Sequence, residues 1–330
     1  MKIKNPISTN LSFDQNGIQH GLLKLPHSDD SAAWGAIMIP ITVICNGEGP
    51  TALLTGANHG DEYEGPVALL DLANTMRAED IKGRVIIVPM MNYPAFRAGR
   101  RTSPIDHGNM NRVFPGRPNG SATEKIADYF ENTLIPLADY VLDIHSGGKT
   151  LVFVPFAAAH ILEDQAQQRN CEAAMHAFSA PYSVMLLEQD AMGMYDTSVE
   201  NQGKIFISTE LGGGGSTTPA TNRIARQGVL NLLSHAGILS KPKILCDSIL
   251  VDMPGDDCYL IAEHSGLLEI TTELGQEVSA GQEIARIYDV ERTGITPSYY
   301  RAKHDGILIG RHFPGLVKPG DTIAVSGVIR

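Results

Sequence analysis

Four residues of two types have the chemistry to bind and use a metal ion. His59 and Glu62 are three positions apart in the stretch 55–66, and His145 and Glu210 each end an apolar run farther along the chain. Two imidazoles and one carboxylate suit catalytic Zn²⁺, which needs three protein ligands and an open position for water. The remaining carboxylate can then act as general base. His-x-x-Glu alone is a weak signal, and the two later residues give it meaning.

The elements around these residues predict that they meet at one edge of a sheet. Residues 51–56 read as a strand that leads to His59, and apolar residues at helical spacing predict a helix over 63–77. Apolar strands over 139–145 and 204–210 end in the later His and Glu. Ligands of open α/β sheets gather at the carboxyl ends of the strands. The pattern therefore favours a single site built from strand ends.

The alternation of strands and helices continues between residues 51 and 235. Not every link contains a helix, so we expect a mixed sheet flanked by helices, in an α/β fold. Ser121-Ala-Thr-Glu124 reads as a capping box that opens a helix over 125–137. The other predicted strands are 17–25, 36–44, 84–90, 151–155 and 182–187, and the other predicted helices are 163–178 and 219–235.

From about residue 240 the chain changes to short strands and turns with an internal repeat. Residues 264–268 resemble 304–308, and 278–285 resemble 317–324. We therefore predict a catalytic domain over 1–240 and a small all-β domain, a sandwich or barrel, over 241–330. The second domain is similar to biotinyl and lipoyl carrier folds but lacks their lysine turn, so a lid or assembly role is expected.

The composition excludes several classes of function. The formal net charge is −11, which argues against nucleic acid or anionic membrane as a partner. The four cysteines are scattered and predict no disulfide framework. No window approaches the ~20 apolar residues of a membrane span, and the N-terminus lacks a signal-peptide pattern. We expect a cytoplasmic enzyme, a possible homo-oligomer, that acts on a small molecule.

The ordered motifs resemble the succinylglutamate desuccinylase/aspartoacylase family of amidohydrolases, which is related to the zinc carboxypeptidases. The resemblance covers most of the chain. Within the family, the longer strings resemble the bacterial deacetylases that act on N-alpha-acetyl-L-2,4-diaminobutyrate in ectoine breakdown. These strings are Gly-Ala-Asn-His-Gly-Asp-Glu-Tyr-Glu-Gly-Pro (56–66), Arg-Thr-Ser-Pro-Ile-Asp (101–106), Asn-Met-Asn-Arg-Val-Phe-Pro-Gly (109–116) and Asp-Ile-His-Ser-Gly-Gly (143–148).

The ligand residues and the base agree with this resemblance. We expect His59, Glu62 and His145 to bind one Zn²⁺ per chain, with Glu210 as the general base. Asp143 lies two residues before His145 and faces the same side of its strand, so it is a candidate to orient that imidazole. A residue that only closes the strand end by hydrogen bonds would look the same.

The resemblance also assigns roles within the long polar stretch 91–120, which we expect to be an ordered binding loop. It implies that Arg101 polarises the acyl carbonyl, with Arg97 and Arg100 as competitors for that role. It implies that Asn111 and Arg112 bind the substrate carboxylate, for which a guanidinium offers a planar fork. The four glycines after Glu210 permit either a backbone approach to a ligand or a plain flexible turn.

The substrate is the least determined of these expectations. If the substrate is N-alpha-acetyl-L-2,4-diaminobutyrate, the products are acetate and 2,4-diaminobutyrate. The side-chain ammonium of that substrate would need an acidic residue of the enzyme as its partner. Candidates are Glu188, Asp190 and Asp196. The alternatives are aspartoacylase or succinylglutamate desuccinylase activity, a carboxypeptidase that acts on peptides, and a catalytically inactive protein that binds acylated amino acids. The intact ligands and base argue against the inactive protein.

Overall fold

A large mixed β-sheet with helices on both faces carries the four residues. The computed structural model describes residues 3–187 and 191–330. Within those residues the large sheet has fourteen strands and a second, antiparallel sheet has four. The strands of the catalytic region are β1 (Gly17–Pro26), β2 (Ala36–Asn46), β3 (Thr51–Gly56), β4 (Gly83–Val88), β5 (Tyr140–His145), β6 (Leu151–Phe153), β7 (Phe156–His160), β8 (Tyr182–Leu186) and β9 (Ile205–Glu210).

The direction of the strands confirms the mixed sheet. β3 is parallel to both β4 and β5, and β5 is parallel to β9. β2 is antiparallel to both β1 and β4, and β7 is antiparallel to β9 but parallel to β8. All six residues of β3 are buried, as expected for a strand that is covered on both faces. β7 is an addition to the predicted strands.

Six helices lie along the described chain. They are α1 (Glu64–Thr75), α2 (Tyr93–Ala98), α3 (Ala122–Tyr129), α4 (Gln165–Phe178), α5 (Tyr195–Asn201) and α6 (Pro219–His235). The predicted helices over 63–77, 163–178 and 219–235 are confirmed, whereas α2 and α5 were not predicted. One buried cluster joins α1, α4 and α6 to the sheet, and a second cluster fills the opposite face.

The predicted capping box is present, but the helix it opens is shorter than expected. Ser121 accepts a hydrogen bond from the backbone N–H of Glu124, and the Glu124 side chain accepts one from the N–H of Ser121. The α-helix ends at Tyr129, and a π turn and a 3-10 turn lead to residue 137. Pro136 lies in the last turn, and its missing N–H is incompatible with a regular helix interior.

The C-terminal strands follow the internal repeat. Strand β12 (Gly266–Ile270) pairs with β14 (Glu283–Tyr288) just as β16 (Gly306–His312) pairs with β18 (Thr322–Ile329). Strand β13 (Glu277–Val278) pairs with β16 just as β17 (Leu316–Val317) pairs with β12. The two halves of the repeat therefore exchange one short strand each. The other C-terminal strands are β10 (Ile249–Met253), β11 (Tyr259–Ile261) and β15 (Ser298–Arg301).

The large sheet does not stop at the predicted domain boundary. β10 pairs in parallel with β8, and β16 pairs with β6, so the C-terminal strands extend the catalytic sheet. The division at 240/241 stays a prediction. None of the helices in the described part of the chain is long and apolar enough to cross a membrane.

Candidate active site

Three adjacent parallel strands bring the predicted residues to one edge of the sheet. In the register of β5 and β9, His145 lies directly opposite Glu210. β3 ends beside them, and the chain then turns through Ala57, whose φ of 50° lies in the left-handed region. Left-handed backbone is unfavourable for alanine, so the fully buried surroundings of Ala57 must hold this turn. The turn directs His59 back over the strand ends.

Glu62 lies between the two histidines. Its Oε1 is 2.8 Å from Nδ1 of His59, and its Oε2 is 2.9 Å from Nδ1 of His145. The backbone N–H of Ser146 donates a further hydrogen bond to Oε2 at 3.2 Å. His59, Glu62 and His145 are buried, and together they form a cluster that could hold a metal ion.

Asp143 sets the orientation of one of these imidazoles. Its Oδ2 is 2.7 Å from Nε2 of His145, so the hydrogen bond expected between these two side chains is present. Asn58 and Thr55 also donate hydrogen bonds to this carboxylate, both at 2.8 Å. Because Nε2 is bonded to Asp143, Nδ1 is the nitrogen of His145 that faces Glu62 and that could bind a metal ion.

The donor set fits a divalent cation. Two imidazole nitrogens and two carboxylate oxygens converge, and Nε2 of His59 is buried with no hydrogen-bond partner among the described residues. Burial lowers the pKa of His59. Burial also lowers the pKa of His145, but the carboxylates of Asp143 and Glu62 outweigh it and raise that pKa well above the ordinary value. Nitrogen and carboxylate ligands of this kind are typical of Zn²⁺.

Glu210 is a half-buried residue beside this cluster. Its Oε2 is buried and has no hydrogen-bond partner within the described ranges. Burial and the charge of Glu62 raise the pKa of Glu210 to about 8. An effective general base has a pKa near the operating pH, and desolvation next to another carboxylate moves the pKa of Glu210 toward that range.

Glycines in two motifs allow close approach of backbone segments. A Cβ on Gly60 would lie 2.0 Å from the carbonyl carbon of Ala95, so glycine is needed where the His59 turn packs on α2. Among the four glycines after Glu210, a Cβ on Gly213 would lie 2.2 Å from the carbonyl oxygen of Leu151. These contacts are with the protein's own backbone, and they account for Gly60 and Gly213 without a ligand.

A cavity of about 300 Å³ opens above the cluster. Arg101, Asn111 and Arg112 line it, whereas neither Arg97 nor Arg100 does. Nη1 of Arg101 is 3.6 Å from Oε1 of Glu62, and its side chain is 49% exposed, so the guanidinium reaches the cluster from the solvent side. The stretch 91–120 therefore supplies the cationic wall of the cavity.

Asn111 is held firmly, and its neighbour Arg112 faces the cavity. The side-chain oxygen of Asn111 accepts a hydrogen bond from the backbone N–H of Tyr195 at 2.9 Å. Arg112 donates to the carbonyl oxygen of Asn111 at 2.6 Å. The loop around Asn111 is thereby joined to the start of α5.

Several other lining residues were not predicted from the sequence. His160 ends β7, and its Nδ1 is 2.8 Å from Oε1 of Glu200. The run that leads to His160 is apolar but has no β-branched residue, so the strand signal that identified His145 is weak here. By contrast, the C-terminal lining residues follow no chemical pattern in the sequence; they are Met253, Tyr259 and Val325.

Among the three acids proposed to face a substrate ammonium, Asp196 lines the cavity. Glu188 and Asp190 lie outside the described residues.

Comparison with known proteins gives a consistent picture. A family model described as the succinylglutamate desuccinylase/aspartoacylase catalytic domain matches residues 48–236. N-alpha-acetyl-L-2,4-diaminobutyric acid deacetylase from Halomonas elongata is 57% identical over 323 residues, which are 97% of this chain and 94% of that protein.

Two solved structures share both fold and sequence. The product-bound ectoine utilization protein EutE (DoeB) from Ruegeria pomeroyi has a TM-score of 0.97 and 62% identity, over 98% of this chain and 99% of that chain. A succinylglutamate desuccinylase from Silicibacter sp. TM1040 has a TM-score of 0.97 and 61% identity over the whole of both chains. The chain is therefore a hydrolytic enzyme that belongs to the succinylglutamate desuccinylase/aspartoacylase family, as the order of its motifs predicts.

Proposed function

We propose that this enzyme is a zinc-dependent deacetylase that hydrolyses N-alpha-acetyl-L-2,4-diaminobutyrate to acetate and L-2,4-diaminobutyrate. The observation that carries the chemistry is the half-buried carboxylate of Glu210, which lies beside a convergent His-Glu-His cluster at the bottom of a small cavity. The substrate rests on the deacetylase of Halomonas elongata and on the charges that line the cavity.

One zinc ion per chain would be held by His59, Glu62 and His145. When bound, zinc supplies an acidified water and polarises the acyl carbonyl. Asp143 keeps the His145 ring oriented for this role through its hydrogen bond to Nε2.

The protein side chains move the proton and bind the substrate. Glu210 takes the proton from the attacking water and delivers it to the leaving amine. Arg101 lies close enough to the cluster to share the negative charge that develops on the acyl oxygen. Arg112, supported by Asn111, binds the substrate carboxylate. Each of these groups lines the same cavity.

The cavity favours a small substrate over a peptide. Its volume of about 300 Å³ lies at the lower end of the range for small-molecule sites. Met253 and Val325 from the C-terminal strands close one wall, where a peptide-cleaving enzyme would need an open cleft. A cytoplasmic location and the oligomeric state stay predictions.

A competition assay separates this proposal from the two related activities. The purified enzyme with zinc would receive equal concentrations of N-alpha-acetyl-L-2,4-diaminobutyrate, N-acetyl-L-aspartate and N-succinyl-L-glutamate, with Glu210→Gln as the inactive control. We expect kcat/KM for the first substrate to exceed the others by about tenfold or more, which corresponds to about 1.4 kcal/mol of preferential binding in the transition state. If an acidic substrate is preferred, the deacetylase assignment is wrong while the hydrolytic chemistry stands.

A further inference from the structure

Asp196 is a buried carboxylate in the cavity wall with no role in the chemistry above. It follows the first residue of α5 and is 7% exposed, yet it lines the same cavity as His145 and Glu210. Burial of a charged carboxylate is costly unless a partner compensates it. A buried acid at a ligand cavity therefore needs an explanation.

One oxygen of Asp196 is satisfied and the other is not. Oδ1 accepts hydrogen bonds from the backbone N–H and from the hydroxyl of Thr197. Oδ2 accepts no hydrogen bond from the part of the chain that the structure describes, and the residue lines the cavity. The side chain thus offers an acceptor to a bound molecule.

The position of Asp196 is fixed relative to the residues proposed to bind the substrate carboxylate. The backbone N–H of the preceding residue, Tyr195, donates to the side chain of Asn111 at 2.9 Å. Tyr195 is fully buried and packs against Phe114 and Phe206. Asp196 and Asn111 therefore belong to one rigid unit, with a fixed separation between a cationic and an anionic subsite.

The other charged side chains that line the cavity indicate what Asp196 could bind. Asp196 and Glu210 are its two acidic side chains within the described ranges, and Glu210 lies at the metal cluster. Arg101 and Arg112 supply the positive charges. A molecule that pairs its own carboxylate with an arginine can present a second, cationic group to Asp196.

We infer that Asp196 binds the side-chain ammonium of the substrate and selects cationic N-acyl amino acids over anionic ones. This inference rests on the proposed deacetylase function and adds a residue that determines its specificity. An ammonium supplies the charge-assisted hydrogen bond that Oδ2 lacks. A substrate with a side-chain carboxylate would instead bring like charges together in a desolvated site.

The test compares two substrates of nearly equal shape. N-alpha-acetyl-L-norvaline carries a terminal methyl group where N-alpha-acetyl-L-2,4-diaminobutyrate carries its ammonium. We expect the wild-type enzyme to prefer the ammonium substrate by about 10- to 100-fold in kcat/KM, the usual range for a hydrogen bond to a charged group. In Asp196→Asn the ratio should fall to within about threefold of unity, mainly through a higher KM for the ammonium substrate.

A matched control and two further outcomes make the result decisive. Asp257→Asn removes an acid that is 82% exposed and outside the cavity, and it should keep the wild-type ratio. A ratio near unity in the wild type, which requires no variant to fold, would overturn the role of Asp196 while hydrolysis stands. An unchanged ratio in a folded, zinc-loaded Asp196→Asn would do the same. Failure to cleave either substrate would instead overturn the proposed function, and the inference with it.

Discussion

Replacement of Asp143 tests how a buried carboxylate prepares His145 for a metal ion. Oδ2 of Asp143 is the acceptor for His145 Nε2 at 2.7 Å and for the Asn58 amide at 2.8 Å, and Oδ1 is the acceptor for the Thr55 hydroxyl. Asp143 is 1% exposed, so water cannot replace a lost partner. The expected change in zinc affinity follows from which of these bonds each substitution keeps.

The asparagine variant should lose the charge but keep the network. Its amide oxygen can take the place of Oδ2, and its N–H₂ can donate to Thr55, whose hydroxyl turns to the carbonyl oxygen of Leu142 at 3.1 Å. A hydrogen bond to a charged group exceeds a neutral one by about 1 kcal/mol. We therefore expect the zinc Kd of Asp143→Asn to rise by about 5- to 10-fold.

The alanine variant should be affected more strongly. It leaves the buried Nε2 donor of His145 without an acceptor, and the Asn58 amide keeps only its longer bond to Oδ1 of Asn111 at 3.4 Å. The imidazole can then move its proton to Nδ1 and donate to Glu62, which occupies the nitrogen that zinc needs. Loss of a group that orients a metal ligand costs about 10- to 100-fold in affinity, and we expect Asp143→Ala near the upper limit.

The assay is a competition titration of zinc against a chromogenic chelator at neutral pH, with Asp257→Asn as the exposed-acid control. Thermal melting of each variant would show that the fold is intact. The reasoning is wrong if both Asp143 variants bind zinc within about twofold of the wild type. It is also wrong if the asparagine variant binds more weakly than the alanine variant, because the order follows from the hydrogen bonds.

Three further substitutions and one pH dependence test the remaining roles. His145→Ala should lose stoichiometric zinc by elemental analysis, and retention of one zinc per chain would exclude it as a ligand. Glu210→Gln should keep zinc and substrate binding while kcat falls by about 10²–10⁴-fold; a near-normal kcat would assign the base to another group. Arg112→Lys should mainly raise KM, because the planar fork is lost while the charge remains, and an unchanged KM would refute its contact with the substrate. Burial raises the pKa of Asp106, but hydrogen bonds from the backbone and hydroxyl of Thr123 outweigh it and hold the value at about 2. Because this value lies below the unfolded pKa of about 3.9, Asp106 stabilises the fold above that pH and loses its effect as the pH falls toward 2. Asp106→Asn should therefore lower Tm by about 1–3 °C at pH 7, and the difference should shrink between pH 4 and pH 2; a constant difference would contradict the linkage.

Local patterns in the sequence were sufficient to predict the strand ends and the His-Glu-His cluster that could hold a metal ion. The apolar runs that end in His145 and Glu210 predict buried strands, and parallel neighbours align their carboxyl ends at one edge. The capping box at Ser121 is likewise a contact between residues three positions apart, and it is present. Such features depend on neighbours within a few residues, so they can be predicted without the fold.

The lengths of the helices and the short strands were harder to predict from the sequence. The α-helix from Ala122 ends at Tyr129 and continues as a π turn and a 3-10 turn, and Pro136 in the last turn cannot donate the hydrogen bond of a regular helix. β7 was missed because its sequence, Phe-Ala-Ala-Ala-His, has no β-branched residue and is a strand only because β8 and β9 pair with it. Pairing between distant segments supplies hydrogen bonds that composition does not report.

Sequence alone therefore determined which residues could hold a metal ion, which carboxylate could take a proton, and the family to which the chain belongs. Only the tertiary structure decided that Arg101 reaches Glu62 while Arg97 and Arg100 remain outside the cavity. It also decided that Asp196 shares that cavity, which Met253 and Val325 close from strands far along the chain. The physical reason is that a cavity wall depends on strand register and on side chains brought together from distant segments, and their separation along the chain carries no periodic signal.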